Sequence, residues 1–167
     1  MPIFNLSDKV EKQVYAALKQ ALVDDSTLTA MIARECIFIE QGGKFPAGTP
    51  KPILVISPES TAFQYKKMSN EIDVTMLSVW YAYAESVESE LGLMGVESSH
   101  VIGLLDVSPV LINLIMHNRL NGLVRDMRPL KVTYPIPPLQ WNGALDELRL
   151  QVQIEFTVQW NPFYRTT

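Results

Sequence analysis

The sequence predicts an α+β fold, with a single antiparallel or mixed β-sheet whose long strands pack against helices. Two long runs, residues 70–84 and 148–160, have the two-residue periodicity of β-strands. Two other stretches, near the N-terminus and after residue 108, carry apolar residues at helical spacing. Because helices and strands come in groups, we expect helices against one face of one sheet. The 167 residues are predicted to form one domain, 1–167.

The N-terminal helices follow from apolar spacing and from capping residues. Val10 and the apolar residues up to Leu22 predict a first helix, with Ser7 as its N-cap. A second helix is predicted over 28–33, after an Asp-Asp-Ser break, with Ser26 or Thr27 as its cap.

Two short strands and two loops come next. Residues 36–40 are rich in β-formers, and residues 52–57 are nearly all apolar, which favours an internal strand. Residues 41–51 contain three glycines and two prolines and therefore predict a loop. Residues 58–69 are predicted to be a second, polar loop.

The middle of the chain predicts a long strand and a helix. One face of the 70–84 strand is apolar apart from Ser78 between residues 72 and 82, and the other turns from polar to apolar, so its far end is expected to be buried on both sides. The acidic stretch 85–99 predicts a loop. A helix is expected from His100, restarting where a serine precedes Pro109. Asn121 and the following glycine should end it.

The C-terminal third is predicted to be two strands separated by a stiff arm. Residues 123–134 read as a strand that Pro129 interrupts, which is typical of an edge or a bulge. The arm at 135–143 carries three prolines and Trp141. In the run 148–160 the even positions are apolar and the odd ones polar, which indicates a strand with one packed and one wet face.

Composition excludes several classes of protein. Fourteen Lys and Arg against eighteen Asp and Glu give a net charge of −4, whereas a free nucleic-acid binder is more often basic. Cys36 is the only cysteine, so an internal disulfide is impossible. The N-terminus does not look like a signal peptide, and the most apolar region, 101–116, is interrupted by polar residues. We therefore expect a protein made in a cytoplasm, without a membrane partner.

No residue pattern predicts catalysis, and we expect no enzyme, metal or cofactor. His100 and His117 lie on different segments without further ligands at zinc spacing. Cys36 lies in a β-rich stretch, where a cysteine is more often a small core or edge residue than a nucleophile. A small α+β enzyme or ligand-binding protein with a pocket that the sequence does not reveal is kept as the alternative.

The candidate residues are contacts to a partner. The loops at 41–51 and 58–69 combine lysines with aromatics, which suits a protein interface, a nucleic-acid patch or a merely solvated surface. Trp141 lies in the proline-rich arm, and aromatic residues are enriched at interface centres. The candidates are Lys44, Phe45, Phe63, Tyr65, Lys66, Lys67 and Trp141.

The whole chain resembles the tail terminator proteins of long-tailed bacteriophages in the order of its elements. The resemblance lies in a helix, VYAALKQALV, followed by DDSTLTAMIARECIFIE and a Pro/Gly loop. The strands KPILVIS and EIDVTMLSVWYAY come next, then a helix, and the last strand is LRLQVQIEFTVQW.

The resemblance implies a ring, usually hexameric, that caps the tail tube, stops its polymerisation and presents a surface to the neck or head-completion proteins. In contractile tails such a ring also engages the sheath, and DNA only passes through the lumen. The protein would reside in the virion tail after assembly in the host cytoplasm. The arm at 135–143 departs from the family pattern, so a sheath-contacting, tail-tube or neck variant stays open. A tailocin or secretion-system relative is a further alternative.

Overall fold

The computed structural model of the chain describes residues 9–65, 72–86, 89–135 and 151–160. The four helices are α1 (Val10–Asp24), α2 (Ser26–Thr29), α3 (Ser89–Met94) and α4 (Leu104–His117). The five strands are β1 (Ile37–Ile39), β2 (Ile53–Tyr65), β3 (Ile72–Tyr83), β4 (Val124–Thr133) and β5 (Gln151–Trp160).

The strands form one mixed sheet in the order β1-β2-β3-β5-β4, which confirms the predicted α+β class. β1 runs parallel to β2, and the other neighbours are antiparallel. A consecutive pair of antiparallel strands needs only a short turn, whereas β1 and β2 are parallel and are joined by the longer segment at 40–52.

One face of the sheet carries the core beneath α1 and α4. Every second residue of β3 points to this face, and the ladder places the even residues of β5 beside them, as in the pairs Met76–Val158 and Trp80–Ile154. The residues of α1 and α4 that fall at helical spacing cover this layer. The helical contributors that are buried are Val10, Val14, Tyr15, Leu18, Leu22, Leu104, Val107, Leu111 and Ile115.

The far end of β3 is buried on both faces, as predicted. Val79 and Tyr83 lie on the face away from the helices and are buried there. Thr75 and Leu77, nearer the start of the strand on that same face, are only half-buried. This gradient follows the change from polar to apolar residues along that side of the strand.

The predicted loop at 58–69 is wrong for residues 58–65, which continue β2. Pro58 and Ser60 bracket a register shift in the ladder to β3, after which pairing resumes from Ser60 to Tyr65. A β-bulge accommodates Pro58, because proline has no backbone N–H to donate and the ladder is interrupted at this point. The cluster Ser57-Pro58-Glu59-Ser60 therefore resembles a turn in sequence although it is a kink within a strand.

The second helix begins earlier than predicted and has a different cap. α2 spans Ser26–Thr29, and the side chain of Asp25 accepts a hydrogen bond from the backbone N–H of Leu28 at 2.8 Å. Asp25 rather than Ser26 or Thr27 is thus the N-cap. The predicted cap of α1, Ser7, lies outside the described residues.

The predicted loop at 85–99 is also wrong, since it contains α3 and a 3₁₀ turn at Glu97–Ser99. Gly95, at φ 68°, follows α3, and its backbone N–H donates to Leu91 O. His100 adopts the left-handed conformation in a tight turn between Val96 and Val101, so it cannot begin a helix.

α4 instead begins at Leu104, and it is continuous through Pro109. The carboxylate of Asp106 accepts a hydrogen bond from Gly103 N–H at 3.3 Å at the start of the helix. The predicted restart at Pro109 is wrong because proline is tolerated here inside the helix, at the expense of one backbone hydrogen bond.

The edge strand and the last strand agree with their predictions where they are described. β4 pairs only with β5, with register shifts on either side of residues 126–129, as expected of a strand that contains Pro129. On β5, Ile154 and Val158 are buried, whereas Thr157 and Gln159 are half-buried. The arm at 136–143 and residues 144–150 lie outside the described residues.

Candidate interaction surfaces

The outer half of the β2–β3 hairpin extends beyond the part of the sheet that β1 covers. β1 ends at Ile39, which pairs with Ile56, while β2 continues to Tyr65. From Ser57 onward β2 has β3 as its only neighbour among the described residues. This outer edge therefore presents backbone N–H and C=O groups that point away from the sheet.

Two aromatic side chains lie on the helix side of this outer hairpin. Phe63 pairs with Val74, whose side chain is part of the core layer, and Tyr65 pairs with Ile72. The exposed fractions are 45% for Phe63 and 74% for Tyr65, so the helices cover neither ring. A groove of about 330 Å³ lies between the hairpin and the first turn of α1, and it is lined by Lys9, Val10, Glu11, Lys12, Thr61, Phe63 and Val74.

The loop at 41–51 is held against the opposite face of the sheet. Gly42 N–H donates to Ser57 Oγ at 3.0 Å, and the hydroxyl of Tyr83 donates to the carbonyl of Gly43. The rings of Phe45 and Tyr83 lie 4.9 Å apart between centroids, at 60°. These contacts fix the near half of the loop and explain why the far end of β3 is buried on both faces.

The structure separates the predicted contact residues instead of joining them into one patch. Lys44 is exposed in the loop, and Phe45 is half-buried against Tyr83. Phe63 lies beside Val74, nine residues away from Tyr83 along β3, which corresponds to about 30 Å. The two groups also lie on opposite faces. Lys66, Lys67 and Trp141 fall outside the described residues.

A second groove, of about 700 Å³, lies at the end of the sheet opposite the hairpin tip. Met94, Val96, Val101 and Ile102 contribute apolar walls, and Ala30, Met31 and Pro52 complete them. Its polar lining consists of Glu85, Glu97, His100 and Asp106. Glu85 accepts a hydrogen bond from Ile102 N–H at 3.4 Å, and Asp106 accepts the one from Gly103. We call this the acidic groove.

Four cations lie on and beside β4, an edge strand of the sheet. Arg119 and Arg128 both contact the carboxylate of Asp126, the first at 3.3 Å. Arg125 lies 3.9 Å from Asp73 on the neighbouring hairpin strand, and Lys131 is exposed farther along β4. The exposed fractions of the three arginine side chains are 44%, 43% and 78% for Arg119, Arg125 and Arg128. We call Arg119, Arg125, Arg128 and Lys131 the β4 cationic patch.

The structure shows the surroundings of the cysteine and the two histidines that were considered for catalysis or metal binding. Cys36 is buried, and its thiol donates to the carbonyl of Pro50 at 3.3 Å. Burial, and secondly the carboxylate of Glu35, raise the pKa of this thiol, which disfavours the nucleophilic thiolate. His100 and His117 are exposed. Within the described ranges, no group of three or more His, Cys, Asp or Glu residues is arranged to hold a metal ion.

Sequence reasoning missed both the outer hairpin and the two charged surfaces. The alternation of Thr61, Phe63 and Tyr65 was a signal for the strand, but Pro58 and its polar neighbours obscured it. The acidic groove is assembled from residues after α2, before β2 and after β3 and from the segment between the end of α3 and the start of α4, so no local sequence pattern predicts it.

Comparison of the chain with protein-family models finds no matching model. Comparison with curated proteins likewise finds no match. None of the helices in the described part of the chain has the length and apolar character needed to cross a membrane.

Proposed function

We propose that this protein is a structural subunit of a bacteriophage tail, a tail terminator that forms a ring on the tail tube and stops its polymerisation. The observation that carries the proposal is the outer β2–β3 hairpin, which combines a strand edge with a single neighbour and two exposed aromatic rings. The order of elements resembles that of tail terminators, which is why we propose this particular assembly.

The hairpin suits an assembling subunit for a physical reason. Apolar rings in water cost free energy, roughly 25 cal/mol for each Å² that a partner could bury. A strand edge left open invites pairing with another chain, and proteins that stay monomeric usually block such edges. After Pro58 the outer part of β2 carries no lysine or proline up to Tyr65. A partner that covers this surface therefore gains both hydrophobic burial and backbone hydrogen bonds.

The proposed partners follow from the role of a ring. Copies of the chain form the ring, with six as the number that the resemblance suggests. One face of the ring contacts the tail tube, the other contacts the neck or head-completion protein, and in a contractile tail the rim contacts the sheath. DNA passes through the lumen without sequence-specific contacts. The site of action is the virion tail, after assembly in the host cytoplasm.

A ligand-binding protein or enzyme is the second candidate, and one observation favours it. The acidic groove has a volume in the range of small-molecule sites. Two of its carboxylates, those of Glu85 and Asp106, already accept hydrogen bonds from the backbone around the groove. We therefore favour the structural role.

The experiment that tests the proposal measures assembly and tail length. The purified chain should give a mass that is a multiple of 18.8 kDa by light scattering, alone or after addition of tail tubes, and rings should be visible at one tube end by electron microscopy. Particles made without the protein should have tails of irregular length. Normal tails of uniform length in those particles would overturn the proposal.

Two variants locate the contacts. The double variant Phe63→Ser with Tyr65→Ser should assemble at least about tenfold less tightly, because it removes the exposed aromatic surface. Gln64→Ser, on the other face of the same strand, is the matched control and should assemble normally. Deletion of residues 136–142, which removes Trp141, should likewise weaken assembly more than it lowers the melting temperature of the monomer.

A further inference from the structure

We infer that neighbouring copies of the chain contact one another head to tail, with the β4 cationic patch of one copy seated on the acidic groove of the next. This inference rests on the proposed ring and names its subunit contact. It is carried by the opposite charges of the two surfaces, by an exposed apolar residue in each, and by their separate positions on the sheet.

Charge is segregated along the chain. Residues 68–118 contain seven Asp and Glu and no Lys or Arg. Residues 119–131 contain four cations and one carboxylate, although the whole chain carries −4. Apart from the contact between Arg125 and Asp73, the carboxylates of the acidic groove come from the first stretch and the cations of β4 from the second. A second copy therefore offers a surface of opposite sign to each.

The cations of the patch are incompletely neutralised within the subunit. Among the described side chains, Asp126 and Asp73 lie near the three arginines, and Asp126 is shared between Arg119 and Arg128. Arg128 in particular keeps 78% of its side chain exposed while touching Asp126. An exposed guanidinium with donors to spare can bind a further carboxylate in a bidentate manner.

Each surface also has an apolar centre. Leu130 lies between Arg128 and Lys131, at the bulge in β4, and 56% of its side chain is exposed. Met94 lines the acidic groove and is 62% exposed. Specific interfaces have such an organisation, with an apolar core surrounded by polar groups. We expect Leu130 to enter the groove beside Met94, with Arg128 and Lys131 reaching the carboxylates at its rim.

The two surfaces are unlike and lie apart on the subunit, so a contact between them can run head to tail. Arg128 lies beside Thr157 of β5, which pairs with Leu77 of β3, whereas Glu85 follows the end of β3. Eight residues separate Leu77 from Glu85, which corresponds to about 25 Å along the strand direction. In a head-to-tail assembly the patch and the groove of one copy contact different neighbours. Contacts between unlike surfaces then propagate from copy to copy, and they close when the rotation per subunit permits.

A charge-reversal cycle on the full chain tests this contact. Arg128→Glu and Glu97→Arg should each raise the concentration at which half of the chain is assembled by at least about tenfold. The double variant, with both charges exchanged, should recover most of that loss, because the opposite charges face each other again. Lys19→Glu and Glu35→Arg, which change the same charges outside both surfaces, are the controls and should assemble normally.

The circular dichroism spectra and melting curves of all variants establish that they fold. Assembly of the unmodified chain should weaken between 50 mM and 500 mM salt, because salt screens exposed charges. If the chain forms rings but both single reversals leave the half-assembly concentration unchanged, this contact is wrong while the proposed ring stands. Two reversals that each weaken assembly without recovery in the double variant would also overturn the pairing. If the chain forms no ring even with tail tubes, the proposed function itself fails.

Discussion

Ile154 shows how the alternation of β5 acts at the scale of one side chain. It is fully buried, its neighbours across the ladders are Trp80 and Val132, and it lies on the face that the helices cover. Thr157, on the other face of the same strand, is half-buried. The side chains of Phe156 and Gln153 lie outside what the structure describes, so the burial expected of Phe156 stays a prediction.

Ile154→Ala should lower the free energy of unfolding by about 2–5 kcal/mol, because it removes buried methyl groups and leaves a cavity. Thr157→Ala is the control on the wet face and should change the free energy of unfolding by less than about 1 kcal/mol. Urea denaturation followed by circular dichroism measures both. A larger loss for Thr157→Ala than for Ile154→Ala would show that the faces of β5 are reversed.

Tyr15 is a buried residue of α1 that faces the core layer. Burial raises its pKa above 10.0, and the carboxylates of Glu11 and Glu59 add to this, while the Ser78 hydrogen bond opposes it. The unfolded chain then releases the Tyr15 proton at a lower pH than the folded chain. The contribution of neutral Tyr15 to stability is complete below pH 10 and declines as the pH rises above that value.

The melting temperature should therefore fall as the pH rises above about 10, where the unfolded tyrosine begins to ionise. Tyr15→Phe removes the ionisable group and should make this alkaline decline shallower. Melting curves from pH 7 to 11 measure the difference. An equal alkaline slope in the two proteins would mean that Tyr15 does not contribute to it.

At the scale of elements, the loop at 41–51 is fixed by backbone geometry as much as by side chains. Gly43 is buried with φ at 68°, in a region that side chains rarely adopt. A Cβ placed on Gly43 would lie 2.5 Å from the Tyr83 hydroxyl and 2.8 Å from the Tyr81 ring. The close approach of this glycine to β3 lets Tyr83 reach the Gly43 carbonyl.

Gly43→Ala should lower the free energy of unfolding by about 2–4 kcal/mol, because it combines backbone strain with a clash in a packed region. Gly48→Ala offers a matched control, since Gly48 also has positive φ, at 77°, but has nothing within 4 Å of an added Cβ. Its loss should be limited to about 1 kcal/mol of backbone strain. Similar losses for the two variants in urea denaturation would show that the loop does not pack against β3.

The hairpin formed by β2 and β3 is the element that departs most from its prediction. Its outer half consists of half-buried and exposed residues, and its polar sequence was therefore predicted to be a loop. It is held by the ladder to β3, which continues past the bulge to Tyr65 and Ile72. A strand that leaves the core in this way is more easily explained by a contact with another chain than by the stability of its own subunit.

At the scale of the whole molecule, the helices and the sheet share one core. Buried residues of α1, α4 and all five strands belong to a single hydrophobic cluster. A single shared core favours cooperative unfolding without populated intermediates. We therefore expect the fluorescence of the tryptophans, which include buried Trp80, and the far-ultraviolet circular dichroism to give the same urea midpoint and slope.

This measurement also tests the prediction that residues 1–167 form one domain. It should be made at protein concentrations below those at which the chain assembles, since assembly shifts the apparent midpoint. Two separated transitions, or midpoints that differ between the probes, would contradict a single cooperative unit.

The sequence by itself determined the α+β class, the internal position of β2, the edge position of β4 and the alternation of buried residues along β5 where it is described. These properties follow from periodicity and from proline, and both act locally in the chain. Tertiary structure decided where β2 ends, because pairing with β3 overrode a segment that looks like a turn. It also decided which surfaces meet, because the carbonyl of Gly43 meets Tyr83 from forty residues away and the acidic groove draws on four separate segments. Such long-range contacts depend on how the elements pack, and no window of neighbouring residues contains that information.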